Sequence, residues 1–165
     1  DFICLSKGLT GGTLPLSAVL TTDAVYAAFY DDDVARGFLH SHSYTGNPLA
    51  CRAALATLEL FEQLDALNAN KTLAQHIDTA CKPLTQHPRV RHARRLGMIW
   101  AWDVDTPLPD FARRYHQHAM ARGLVLRPIG KTLYAMSPYV LDDEAVQCLA
   151  SGALDALNAT LQEES

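Results

Sequence analysis

The chain turns apolar at its second residue: Phe2-Ile3-Cys4-Leu5 precedes the glycine-rich Ser6-Lys7-Gly8-Leu9-Thr10-Gly11-Gly12, and Leu16-Ser17-Ala18-Val19-Leu20 follows. Short apolar runs punctuated by glycine read as strand, tight loop, strand. A run that is apolar from the outset has the pattern of a buried strand, so the sequence is expected to open inside a domain, as a fragment of a longer protein. Thr22 or Asp23 is placed to cap a short helix over residues 24–30, ahead of Asp31-Asp32-Asp33 and a loop around Gly37.

Asn47 before Pro48 is a strong helix start, because Asn caps free amides and Pro fits the first turn, where its missing N–H is not needed. Cys51, Leu55, Leu58 and Glu62 fall on one stripe with Ala54 and Phe61 beside it, which predicts a helix to about residue 63. Its alanines at 50, 53, 54 and 56 permit close packing, so a mostly buried helix is expected. A second helix is predicted over residues 71–84, with Leu73, Ile77, Ala80, Cys81 and Leu84 inward and Pro83 kinking or ending it.

Met98-Ile99-Trp100-Ala101-Trp102-Asp103-Val104 is rich in aromatic and branched residues and reads as a strand. Pro107 and Pro109 lead into a helix carrying Phe111, Tyr115 and Ala119 at i, i+4, i+8, stopped by Gly123. Residues 124–128 and 132–136 read as two strands of a hairpin turning at Ile129-Gly130-Lys131. Asp142 or Asp143 caps a last helix with Val146, Leu149, Ala153, Leu157 and Leu161 inward. From about Val90 the order is strand, helix, two strands, helix: a small α/β unit behind a connecting helix.

Composition narrows the function. The 165 residues are 48% hydrophobic and 19% charged with a formal net charge of −4, ordinary for a globular chain. Charges of both signs are interspersed, so nothing argues for nucleic acid or a membrane surface as partner. No apolar run approaches the roughly 18 to 20 residues that span a bilayer, and the N-terminus lacks the basic region of a secretory signal. A cytoplasmic protein acting on small molecules is expected. Cys4, Cys51, Cys81 and Cys148 are widely spaced in apolar surroundings and are read as free buried thiols.

Lys7 is the first candidate for chemistry. It ends an apolar strand beside glycines that let the backbone approach a ligand closely. A lysine loses its proton and attacks a carbonyl in a dry setting, which the end of a buried strand provides; a lone lysine in a glycine loop is otherwise a solvated surface residue. His40 and His42 have metal-ligand spacing, but no Cys, Asp or third His stands nearby to complete a set, so no metal is assigned and a loop at a subunit contact is the better reading. Judged alone, Arg127 reads as half of a surface salt bridge and Tyr134 as a core aromatic.

Three stretches change these readings. Asp1-Phe2-Ile3-Cys4-Leu5-Ser6-Lys7-Gly8-Leu9-Thr10-Gly11-Gly12 resembles the lysine segment of the class III pyridoxal-phosphate-dependent aminotransferases. His40-Ser41-His42-Ser43-Tyr44-Thr45-Gly46-Asn47-Pro48-Leu49-Ala50 is similar to the family's His-Gly-x-Thr-aromatic-x-Gly-Asn-Pro-Leu-Ala loop, with serine for the usual threonine at 43 and for the usual glycine at 41. Arg127-Pro128-Ile129-Gly130-Lys131-Thr132-Leu133-Tyr134-Ala135-Met136-Ser137-Pro138-Tyr139 resembles the members that use S-adenosylmethionine, with Ser137 replacing a common proline. The three stand in family order and span nearly the whole chain.

The resemblance implies an α/β chain of fold type I: the end of the large cofactor domain to residue 47, a connecting helix over residues 48–66 and a small C-terminal domain over residues 67–165. It implies pyridoxal 5'-phosphate held by Lys7, with Ser43 reaching the phosphate across a homodimer whose subunits share the active site, and His42 beside it. Serine keeps the hydroxyl of threonine, so that bond should survive. Ser41, Arg127 and Tyr134 are implied on the substrate side, Arg127 as a two-pronged carboxylate binder. The implied substrates are S-adenosylmethionine as amino donor and 8-amino-7-oxononanoate as acceptor; an ω-amino acid, ornithine or diamine enzyme, or a non-catalytic dimerisation module, is the alternative. The family's glycine-rich phosphate site, stacking aromatic and pyridine-binding aspartate all precede the lysine and have no counterpart here.

Overall fold

The protein is described by a computed structural model covering residues 1–164. It divides into two compact units, Asp1–Ala66 and Leu67 onward.

In the first unit, β1 (Phe2–Leu5) pairs antiparallel with β2 (Ala18–Thr21), Phe2 opposite Thr21 and Leu5 opposite Ala18. Helix α1 (Asp23–Ala27) follows, and a 3-10 turn (Val34–Arg36) is capped by the Asp33 carboxylate, which accepts from the Ala35 N–H at 3.0 Å. Helix α2 (Pro48–Gln63) starts as its sequence predicts: the Asn47 side chain accepts from the Leu49 N–H at 3.0 Å and Pro48 fills the first turn.

Two expectations of burial fail here. All four residues of β1 are exposed, because a two-stranded ribbon has no second layer to cover it. In α2 only Ala50 and Ala54 are buried, while Leu49, Leu55, Leu58 and Leu60 stay exposed. The small residues make the contact because they allow close approach, here to a 3-10 turn over Lys7–Thr10. A Cβ on Gly11, the left-handed residue ending that turn, would lie 3.3 Å from Thr57 Oγ1 of α2.

The second unit is a three-stranded antiparallel sheet, order β3-β4-β5, with helices on one face. Its elements are α3 (Ala66–Ala80), α4 (Lys82–Thr85), β3 (Val90–Leu96), β4 (Ile99–Val104), α5 (Phe111–Met120), β5 (Thr132–Met136) and α6 (Asp143–Gln162). The helical stripes fall inward as patterned: Ile77, Cys81 and Leu84, then Phe111, Tyr115 and Ala119, then Val146, Ala153 and Leu157. Burying Ile77, Leu84 and Leu157 stabilises the unit by roughly 1.5 to 3 kcal/mol each. The Tyr115 hydroxyl, carried into this core by α5, donates to the Ala153 carbonyl at 3.1 Å.

The sheet corrects the expected hairpin. Residues 124–128 form no strand, and β5 pairs with β4 instead, Tyr134 opposite Ala101. The partner that β4 needs on its other side is β3, whose sequence Val90-Arg91-His92-Ala93-Arg94-Arg95-Leu96 lacks apolar alternation. A bulge between Arg91 and Arg94, with His92 at φ 44°, interrupts its register. The second helix begins at Ala66 rather than residue 71 and breaks at Cys81, leaving Pro83 in the first turn of α4, where proline is tolerated. The cysteines are free as expected, but only Cys81 is buried; Cys51 is half-buried and Cys4 and Cys148 are exposed.

Candidate active site

Lys7 stands where β1 passes into the 3-10 turn, with φ 50°, a left-handed backbone that a side-chain-bearing residue rarely adopts. Such a conformation costs of the order of 1 to 2 kcal/mol and has to be held by its surroundings. The Leu9 N–H, donating to the Ser6 carbonyl at 3.2 Å, closes the turn across Lys7, and buried Thr10 anchors the turn's far end: its hydroxyl donates to the Leu14 carbonyl, and Thr13 Oγ1 donates to the Thr10 carbonyl at 2.8 Å. The amine of Lys7 is exposed and has no partner among the described residues. The dry setting expected for it is therefore absent from this unit, since β1 is itself uncovered.

Ser41, His42 and Ser43 share one exposed loop running into α2. The loop closes as a turn over His42 to Thr45, in which the Thr45 N–H donates to the His42 carbonyl at 2.9 Å and the His42 N–H donates to Thr45 Oγ1 at 3.1 Å. His42 Nδ1 accepts from the Tyr44 N–H at 3.1 Å, which leaves the ring proton of a neutral His42 on Nε2. Ser43, in the middle of this turn, keeps its N–H and hydroxyl without a partner among the described residues. Gly46 then turns the chain with φ 67° into Asn47 and α2. A pocket of about 280 Å³ lined by Leu14, Pro15, Tyr44, Asn47, Leu49 and Ala50 joins the loop after Lys7 to this turn.

Arg127 and Tyr134 belong to the second unit and flank the turn into β5. The segment before that turn is fixed at both ends: the Leu124 N–H donates to the Ala119 carbonyl at 2.9 Å, and His116 Nδ1 bonds the Leu126 carbonyl at 2.8 Å. Pro128 is buried, and Ile129 and Thr132 exchange two backbone hydrogen bonds at 3.0 Å around Gly130. Arg127 is exposed, but the salt bridge of the surface reading is not formed among the described residues. Tyr134 is half-buried on the sheet face opposite Leu133 and Ala135, so it is not a core aromatic.

On that same open face Asp103 gathers Thr132 Oγ1 at 2.8 Å, Arg94 NH1 at 3.1 Å and His92 Nδ1 at 3.3 Å. The Thr132 hydroxyl first, then the arginine and the histidine, hold its carboxyl below the usual aspartate value. Residue-by-residue reading passed over this cluster, and also Thr45. The signal for Thr45 was a hydroxyl three residues after His42, the spacing of a turn closed by its own side chain. Among the described residues no group of three His, Cys, Asp or Glu side chains converges as a metal site.

The class-III aminotransferase family pattern matches residues 1–157. Among similar curated proteins are the adenosylmethionine-8-amino-7-oxononanoate aminotransferases of Helicobacter pylori, 41% identical over 164 residues, and of Synechococcus elongatus, 41% identical over 166 residues. Each alignment covers 96% of this chain and 38% of the relative, so the chain spans well under half the length of the proteins it matches. The crystal structure of the enzyme of that name from Methanocaldococcus jannaschii superposes with a TM-score of 0.88 at 30% identity, covering 96% of this chain and 39% of that one. A family match over nearly the entire sequence, together with an α/β fold shared with a solved relative, shows that the chain belongs to the class-III aminotransferases.

Proposed function

We propose that this chain is part of a pyridoxal-phosphate-dependent transaminase that moves the amino group of S-adenosylmethionine to 8-amino-7-oxononanoate, giving 7,8-diaminononanoate for biotin synthesis. The observation that carries the reading is Lys7, a primary amine with no partner among the described residues, held in a strained left-handed backbone at the position that resembles the family's lysine. The 41% identity to two enzymes named for that reaction supports the choice of substrates.

The donor set suits the cofactor. An aldehyde needs a primary amine, which Lys7 has, and a phosphate needs N–H and O–H donors, which Ser43 offers with both groups free. The His42 Nε2–H adds a third donor beside them. When bound, pyridoxal phosphate supplies the electron sink that lets an amino group leave one substrate and join another. Lys7 Nζ would hold the cofactor, give way to the substrate amine and carry the proton to and from the substrate carbon. Arg127 would take a substrate carboxylate with paired N–H groups, since no salt bridge among the described residues occupies its fork. Ser41 and Tyr134 would line the substrate side.

We further infer a cytoplasmic homodimer in which Ser43 serves the partner's cofactor. The exposed Leu55 and Leu58 of α2 offer apolar surface for such an interface. In this reading residues 1–47 close the cofactor domain, residues 48–66 connect, and residues 67–165 form the small domain. The deciding assay is donor preference. Amination of 8-amino-7-oxononanoate by S-adenosylmethionine, and not by alanine or ornithine, is expected; the reverse preference would assign the chain to another class III activity.

A further inference from the structure

The Ser43 turn is closed by two side chains: His42 Nδ1 accepts from the Tyr44 N–H, and Thr45, a residue that no motif singles out, closes it from the other end. Thr45 meets His42 twice, through its N–H to the His42 carbonyl at 2.9 Å and through its hydroxyl, which accepts from the His42 N–H at 3.1 Å. The first bond belongs to any four-residue turn. The second depends on the side chain, and it occupies the backbone donor of His42, leaving Ser43 as the residue of the turn with both donors free. The loop around it is exposed and carries no regular structure until Asn47 caps α2, so the turn's own hydrogen bonds do much of the holding.

We propose that Thr45 is a positioning residue for cofactor-phosphate binding: its hydroxyl locks the His42–Thr45 turn and so pre-orients the N–H and hydroxyl of Ser43 toward a phosphate. This rests on the reading of Ser43 as a phosphate ligand. The physical gain is preorganisation. Two donors held in place before binding lose less freedom on meeting an anion than two donors on a loose loop. Tyr44 fits the same design, since its N–H is already engaged by His42 Nδ1 at 3.1 Å and cannot compete for the phosphate.

The test uses the complete enzyme, stripped of cofactor and reconstituted, and compares affinity for pyridoxal 5'-phosphate with affinity for pyridoxal, which lacks the phosphate. Thr45→Val keeps the shape and removes the hydroxyl. It should weaken pyridoxal-phosphate binding about three- to tenfold, the worth of one hydrogen bond, and leave pyridoxal binding unchanged; Thr45→Ser should restore the wild-type value. Ser43→Ala serves as the reference for the phosphate contact. Loss of discrimination in Ser43→Ala with none in Thr45→Val would overturn the role of Thr45 alone. No loss in Ser43→Ala would overturn the phosphate reading and the proposal with it. Equal weakening of both ligands by Thr45→Val, or no rescue by serine, would show that Thr45 only supports the fold.

Discussion

Trp100 donates its indole N–H to Asp78 Oδ1 at 2.7 Å, and the other oxygen of the same carboxylate holds Arg95 Nε at 3.1 Å. One aspartate of α3 thereby ties a tryptophan of β4, 3% exposed, to an arginine of β3. Asp78→Leu would leave the indole donor unsatisfied and free the arginine. A cost of roughly 1 to 3 kcal/mol is expected, toward the lower end because the Asp78 side chain is 43% exposed and water can replace part of the contact. Urea unfolding should show a lower midpoint at unchanged slope; an unchanged midpoint would mean that the bond contributes nothing net.

Lys7, the proposed cofactor-binding amine, has an unfavourable backbone. Lys7→Ala and Lys7→Arg should both abolish transamination, since neither supplies the primary amine that holds the cofactor and relays the proton. Near wild-type turnover in either variant would end the assignment. The backbone adds a second expectation that reverses the usual order of alanine over glycine: at φ 50°, Lys7→Gly should be more stable than Lys7→Ala by about 1 kcal/mol. Thermal unfolding of the two inactive variants gives the comparison.

Arg127 presents its guanidinium fork to solvent from a segment anchored to α5, with no salt bridge among the described residues. A charge-assisted pair contributes about 1.5 to 3 kcal/mol, so Arg127→Ala should lower kcat/KM for the oxononanoate by roughly one to two powers of ten. Arg127→Lys should remain impaired, because a point charge loses the paired geometry. An amine substrate without a carboxylate should be affected much less. Equal losses on both kinds of substrate would move Arg127 from the binding site to the fold.

The end of α6 is held by carboxylates. Glu163 bonds Arg114 NH1 at 2.7 Å and His118 Nε2 at 2.8 Å; Glu164 accepts from Thr106 Oγ1 at 2.7 Å and pairs with Arg89 at 2.9 Å. The bond from Arg114 first, then that from His118, lowers the Glu163 carboxyl; the Thr106 hydroxyl first, then Arg89, lowers that of Glu164. A lowered folded-state value means that the stabilisation is fully present above the ordinary glutamate value of 4.5 and is lost as pH falls through the lowered values. Thermal stability should therefore decline below about pH 4.5, and Glu163→Gln with Glu164→Gln should flatten that decline. A double variant with the wild-type acid profile would show that other groups control it.

The elements read correctly from sequence are those whose cause is local. Asn47 and Asp142 cap their helices through their own side chains, and Phe111, Tyr115 and Ala119 turn inward because a 3.6-residue period puts them on one stripe. The family membership was equally local, carried by contiguous stretches around Lys7, Ser43 and Arg127. Tertiary structure decided what depends on a partner distant in sequence. β3 has no strand pattern and exists because β4 pairs with it and Asp78, Asp103 and Asp105 receive its arginines. Residues 124–128 have a strand pattern and form none; the Leu124 N–H and the Leu126 carbonyl are bonded to α5 instead. Exposure of β1 and α2 was set by how few neighbours their unit offers, which apolar periodicity cannot encode. The same holds at the candidate site. The sequence named its residues, while the left-handed Lys7, and a fork of Arg127 and donors of Ser43 left without partners among the described residues, came from the fold, since a backbone angle or an unclaimed donor is fixed only when every neighbouring group has found its place.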